Sequence, residues 1–88
     1  MAFNQISDNR YEEILVRDND PQLEEWRELT ASLPILQEEI KKAKTAYNEE
    51  NTEENEKLVQ NAMSKYGNNR HRKMKIEERL YLANKDVL

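Results

Sequence analysis

The stretch DPQLEEWRELTASLPILQEEIKKAKTAY, residues 20–47, decides the fold. Alternating steps of three and four from Trp26 meet Leu29, Leu33, Leu36, Ile40, Ala43 and Tyr47, every one apolar or aromatic. Such a stripe is the seam of an amphipathic helix that packs along its length against another helix, as in a coiled coil. Its start is marked by Asp20, a good N-cap, and by Pro21, whose missing N–H is no loss in a first turn. Glu24 and Glu25 then complement the helix dipole. Pro34 interrupts the backbone hydrogen bonding but not the register, which predicts one rod kinked there or two pieces nearly in line, with Ser32 a cap for the second.

The rod must end near residues 48–52. Glu49 and Glu50 oppose the negative end of the dipole, and the next seam positions are Glu50 and Glu54. Thr52, followed by Glu53 and Glu54, caps a second long helix. From Val59 the same count gives Ala62, Tyr66, Asn69, Lys73, Ile76, Leu80, Ala83 and Val87, broken only at Asn69 and Lys73. Gly67 sits beside the break, as the end of one helix with Asn69 capping the next, or as a weak point in one long helix. Folding the rods back about Asn51 sets Ile40 near Ala62 and Met63, Leu36 near Tyr66, Leu29 near Met74 and Leu23 near Leu80. Upstream, Asn9 with Glu12 reads as a capping box for a short helix bearing Tyr11, Ile14 and Leu15 on one face.

The expected fold is therefore all-α: an elongated antiparallel helical hairpin with kinks near Pro34 and Gly67 plus a short N-terminal helix, forming one domain over residues 1–88 with a flexible start at 1–8. A compact four-helix bundle is the alternative if both interruptions become full turns. Apolar residues at 36% are too few for a thick core, which favours self-association.

Chemistry has little to work with. There is no cysteine, one glycine and one histidine, so thiolate sites and phosphate-cradling glycine loops are excluded. His71 stands among Arg70, Arg72 and Lys73, a solvated setting that suits neither catalysis nor a metal role. The adjacent acidic pairs, such as Glu12 with Glu13 and Glu38 with Glu39, point about 100° apart on a helix and do not converge on one substrate atom. The run Asp18, Asn19, Asp20 lacks the turn glycine of a calcium loop and has Leu29 where the bidentate acid belongs. No enzyme activity, cofactor or metal is expected.

Charge is distributed unevenly: residues 1–64 hold fifteen acidic and seven basic side chains, residues 65–88 three and seven. Were a helix to start at Asn69, the candidate anion-binding residues Arg70, Arg72, Lys73 and Lys75 would crowd its first turns, where free N–H groups suit a phosphate or a carboxylate cluster. On an unbroken helix they form a solvated face, with Lys73–Glu77 and Lys75–Glu78 pairs.

The expected function is a non-enzymatic protein–protein interaction module that self-associates and acts as a small adaptor, assembly factor or inhibitor. Trp26, Leu29, Leu33, Leu36, Ile40, Tyr66, Ile76 and Leu80 are the seam, while Ile14, Leu15, Met63, Met74 and Tyr81 are candidates for contact with another chain. Tyr11 and Tyr81 are the aromatics expected to be exposed. Partners are a second copy and another protein; nucleic acid or a phosphorylated small ligand at the basic segment is the alternative. No stretch approaches the ~20 apolar residues of a membrane span and no basic leader opens the chain, so a cytoplasmic protein with no membrane partner is expected. The many asparagines and lysines suit an AT-rich genome such as that of a virus or mobile element.

Overall fold

A computed structural model describes residues 5–88 and shows three helices, α1 (Asp8–Arg17), α2 (Leu23–Glu49) and α3 (Glu53–Ala83), with no strand among the described residues. The radius of gyration is 16.4 Å and the extents are 52 × 25 × 16 Å. A compact chain of this length would have a radius of about 12 Å. The molecule is thus an elongated hairpin of α2 and α3 with α1 laid against its open end.

Each boundary has a local cause. Ser7, rather than Asn9, is the N-cap of α1, with Asp8 in its first turn, and the Ser7 carbonyl accepts from the N–H groups of Arg10 and Tyr11. After Arg17 the chain reverses through Asn19 at φ 48°, a left-handed conformation that asparagine tolerates. Asp20 then accepts from the Gln22 N–H at 2.9 Å, so it organises the turn into α2 although the helix itself begins at Leu23. Between α2 and α3, Thr52 Oγ1 accepts from the Asn55 N–H at 3.1 Å. Asn55 returns its side-chain amide to the Glu50 and Ala46 carbonyls at 2.8 and 3.3 Å, a second donor to acceptors that the Thr52 and Glu50 N–H groups already meet. At the other end Asn84 donates to the Leu80 carbonyl at 2.9 Å and closes α3.

Both long helices run unbroken through the positions expected to interrupt them. Pro34 is exposed within α2, and Gly67 is exposed within α3 in an ordinary helical conformation. The full turns that a compact four-helix bundle requires are absent. Ser32 does not start a new helix; its hydroxyl donates to the Leu29 carbonyl at 2.7 Å and accepts from the Asn69 amide at 3.1 Å. Asn69 is likewise no cap, because α3 passes through it.

Cross-hairpin contacts set the register. Ser32 meets Asn69, Gln37 meets Tyr66, Ala46 meets Asn55 and Gln22 meets Arg79, each pair centred on Asn51 to within one residue. The core nevertheless lies almost wholly at the open end. Tyr11, Ile14 and Leu15 of α1 pack with Trp26, Leu29, Ile76 and Leu80, joined by the partly buried Ile6, Leu23 and Leu88. Beyond them, towards the turn, Leu36 and Ala62 are the buried side chains. The flexible start expected over residues 1–8 lies partly outside the described residues; Ser7 and Asp8 are anchored in α1.

Truncating the wedge should therefore cost far more than truncating its neighbour. Leu15 is fully buried and Val16 is 53% exposed. Leu15→Ala is expected to lower the unfolding free energy by about 2–5 kcal/mol, and Val16→Ala by about 0.5 kcal/mol or less, in urea denaturation followed by circular dichroism.

Candidate binding surfaces

The α1 side of the hairpin is closed by a knot of charge. Lys73 occupies a seam position and is largely withdrawn from solvent: its ammonium contacts Asp8 of α1 at 3.0 Å and Glu77 at 3.3 Å, and lies 5.6 Å from the centre of the Trp26 ring. Glu77 is the buried charged residue of the core, at 7% exposure. Burial pushes its carboxyl above the ordinary value, and the Lys73 charge and hydrogen bond pull the other way without prevailing. The Trp26 indole N–H also favours the charged carboxylate, although it falls short of hydrogen-bond geometry. Beside this knot Tyr11 is fully buried, and burial, reinforced by Glu77, raises its phenol to about 12.

Lys73 accordingly leaves the set of candidate anion-binding residues, because its charge is already matched inside the molecule. The helix-start argument for Arg70, Arg72 and Lys75 fails as well: with α3 continuous from Glu53, the N–H groups near Asn69 serve the helix itself. Those three cations are exposed and form no ion pair among the described residues, and the expected Lys75–Glu78 pair is absent. Arg72 and Lys75 line, with Gln22, Glu25, His71 and Arg79, a shallow cleft of about 250 Å³ on the side away from α1. Its far wall is held by Arg79, which donates to Asp20 at 2.9 Å and Gln22 at 3.0 Å.

Of the seam residues, Trp26, Leu29, Leu36, Ile76 and Leu80 are buried, and Leu33, Ile40 and Tyr66 are half-buried. Two candidate interface residues are corrected. Ile14 and Leu15 cannot meet another chain, since α1 turns them into the core of its own hairpin. Tyr11, expected to be exposed, is buried for the same reason. Met74 and Tyr81 are half-buried next to α1, and Met63 remains 50% exposed.

Besides Val16, the solvent-facing large apolar side chains that sequence periodicity did not single out are Ile35 at 62%, Leu58 at 51% and Leu82 at 59%. They lie off the seam count, and only the observed packing shows that no third helix covers them. Near the turn, Lys44, Tyr47, Asn48, Glu56, Val59 and Gln60 frame an open cleft of about 370 Å³. Among the described residues no three histidine, cysteine or acidic side chains converge as metal ligands, and no helix is long and apolar enough to cross a membrane. Comparison with protein-family models, curated proteins and solved structures found no match.

The knot predicts a pH-dependent cost. An acid held above its ordinary pKa weighs against the fold above that raised value, and the penalty disappears as pH falls through it. Lys73→Met removes the two larger influences that lower the Glu77 pKa and leaves only that of Trp26. The variant is expected to lose about 3–5 kcal/mol relative to wild type near neutral pH. That difference should shrink as pH falls towards 4.5, the ordinary value for the acid. Thermal melts of both proteins between neutral pH and that value check it.

Proposed function

We propose that the protein is a non-enzymatic interaction module whose hairpin docks through its open side onto a second copy and onto other proteins, as a small adaptor, assembly factor or inhibitor. The observation that carries this reading is the two-layer construction of the arms. A third helix, α1, covers one side of the open end, whereas Ile35 and Leu58 sit on the arms with more than half their surface in water. Helical arms of this kind gain by burying their remaining apolar side chains against another helical surface. Binding then uses the exterior of the hairpin, and the buried Glu77 with Lys73 belongs to its interior.

A second reading is supported by the unpaired cations Arg70, Arg72 and Lys75. An anionic ligand such as a nucleic-acid phosphate would find them exposed and on one helix. The net charge of −4 and the acidic character of α2 weigh against broad contact with a duplex.

Sedimentation velocity distinguishes the two. Self-association predicts a mass that rises with concentration from the 10.5 kDa of one chain towards a multiple of it, over about 10–300 µM, the range of a weak to moderate interface. A monomer throughout that range, together with salt-sensitive binding of a labelled oligonucleotide, would replace the first reading by the second.

A further inference from the structure

The side of the hairpin opposite α1 carries two parallel rows of unlike charge. Two residues turn a helix by about 200°. Arg27 points to Glu12 of α1, so Glu25 faces the other way; Glu77 lies beneath α1, so Lys75 and Arg79 face away from it. From Glu25, steps of three and four along α2 give Glu28, Ser32, Ile35, Glu39 and Lys42. Backwards from Arg79 along α3 they give Lys75, Arg72, Asn68, Lys65, Asn61 and Leu58. One face of the molecule thus has a mainly acidic edge, Glu25, Glu28 and Glu39 with Lys42 nearest the turn, and a basic edge, Lys65, Arg72 and Lys75 with Arg79 already paired to Asp20. Exposed Ile35 and Leu58 lie on the same two stripes.

None of Glu25, Glu28, Glu39, Lys65, Arg72 and Lys75 forms an ion pair among the described residues, although ion pairs form elsewhere on α1, α2 and α3. The register centred on Asn51 places Glu25 level with Ile76, Glu28 level with Lys73, and Glu39 close to the level of Lys65. Each acid on α2 therefore has a base of α3 at nearly the same height along the hairpin.

Such a face is complementary to itself in one orientation. If two copies meet face to face about a two-fold axis along the helices, α2 of each lies over α3 of the other, and all three acids meet bases in both halves. If the axis runs across the helices, α2 meets α2 and α3 meets α3, and the bases of α3, with no acid on their stripe, oppose one another, which is repulsive. We infer that the protein forms a parallel two-fold dimer through the face opposite α1, with Glu25, Glu28 and Glu39 of each copy set against Lys65, Arg72 and Lys75 of the other and Ile35 and Leu58 buried between them. This rests on the self-association proposed above and adds to it the face, the orientation and the pairing. The α1 side stays clear, because α1 already occupies it.

The absence of cysteine makes orientation directly measurable. Asn51 is exposed at the turn, so Asn51→Cys carrying a spin label reports the separation of the two tips by double electron–electron resonance. The parallel dimer puts the labels within about 30 Å, on the scale of a four-helix cross-section plus linkers. An antiparallel dimer separates them by most of the 52 Å length, and that result would overturn the inference while leaving self-association intact.

Charge exchange tests the pairing. Glu25→Lys, Glu28→Lys and Glu39→Lys together should weaken the dimer by about a hundredfold or more. Adding Lys65→Glu, Arg72→Glu and Lys75→Glu to the same chain should restore it. Circular dichroism verifies that each variant is folded. No rescue in a folded double set would refute the pairing. A wild-type chain that is monomeric in sedimentation, with no interlabel signal, refutes the underlying reading instead.

Discussion

The structure depends on the wedge of Tyr11, Ile14 and Leu15 driven between two long helices at the end where they are not joined. An isolated helix the length of α1 is marginal in water, so α1 exists because burying those three side chains offsets the cost of ordering it. In return it completes a core that the two rods alone do not possess. The remaining ties point the same way: Arg10 donates to the Val87 carbonyl at 2.7 Å, Arg17 to Asn84 at 2.8 Å, and Asp8 meets Lys73. They fasten α1 to the residues just past the end of α3 and to Lys73 within it.

This arrangement explains why the charges fall into two populations. On the α1 side they are matched and partly removed from water, and Glu77 remains ionisable at a cost that Lys73 offsets. Asp20 shows the opposite balance: burial raises its pKa, but the Gln22 N–H and Arg79 outweigh it and hold the carboxyl below its usual range. On the other side Arg79 is tied to Asp20, but Glu25, Glu28 and Glu39 of α2 and Lys65, Arg72 and Lys75 of α3 stay in water with no ion-pair partner among the described residues. A hairpin with one finished side and one unfinished side is the physical basis for reading the protein as a binding element.

Much of the fold was legible in the sequence because it is written in short-range rules. The stripe from Trp26 to Tyr47 gave α2, Thr52 gave the start of α3, and the symmetry of the two stripes about Asn51 gave the register. The misreadings came from what local rules omit. Whether Pro34 and Gly67 become full turns was open in the sequence, and both lie within continuous helices. Tyr11, Ile14 and Leu15 read as an outward apolar face until α1 folds back onto its own chain, a tertiary event that periodicity does not encode. Lys73 looked like part of a basic patch because its partner Asp8 lies 65 residues away in sequence. Ile35 and Leu58 lie off the seam, and their exposure follows from what the third helix fails to cover.

Native-state hydrogen exchange by nuclear magnetic resonance, at concentrations where the chain is monomeric, examines the wedge most directly. If α1 closes the structure, the amides of Leu29, Ile76 and Leu80 should exchange only through global unfolding, with a free energy equal to that from denaturation. The amides of Ala43 and Val59, on arms two helices thick, should open at a distinctly lower cost. Equal protection along the whole hairpin, or greater protection towards Asn51, would contradict the account.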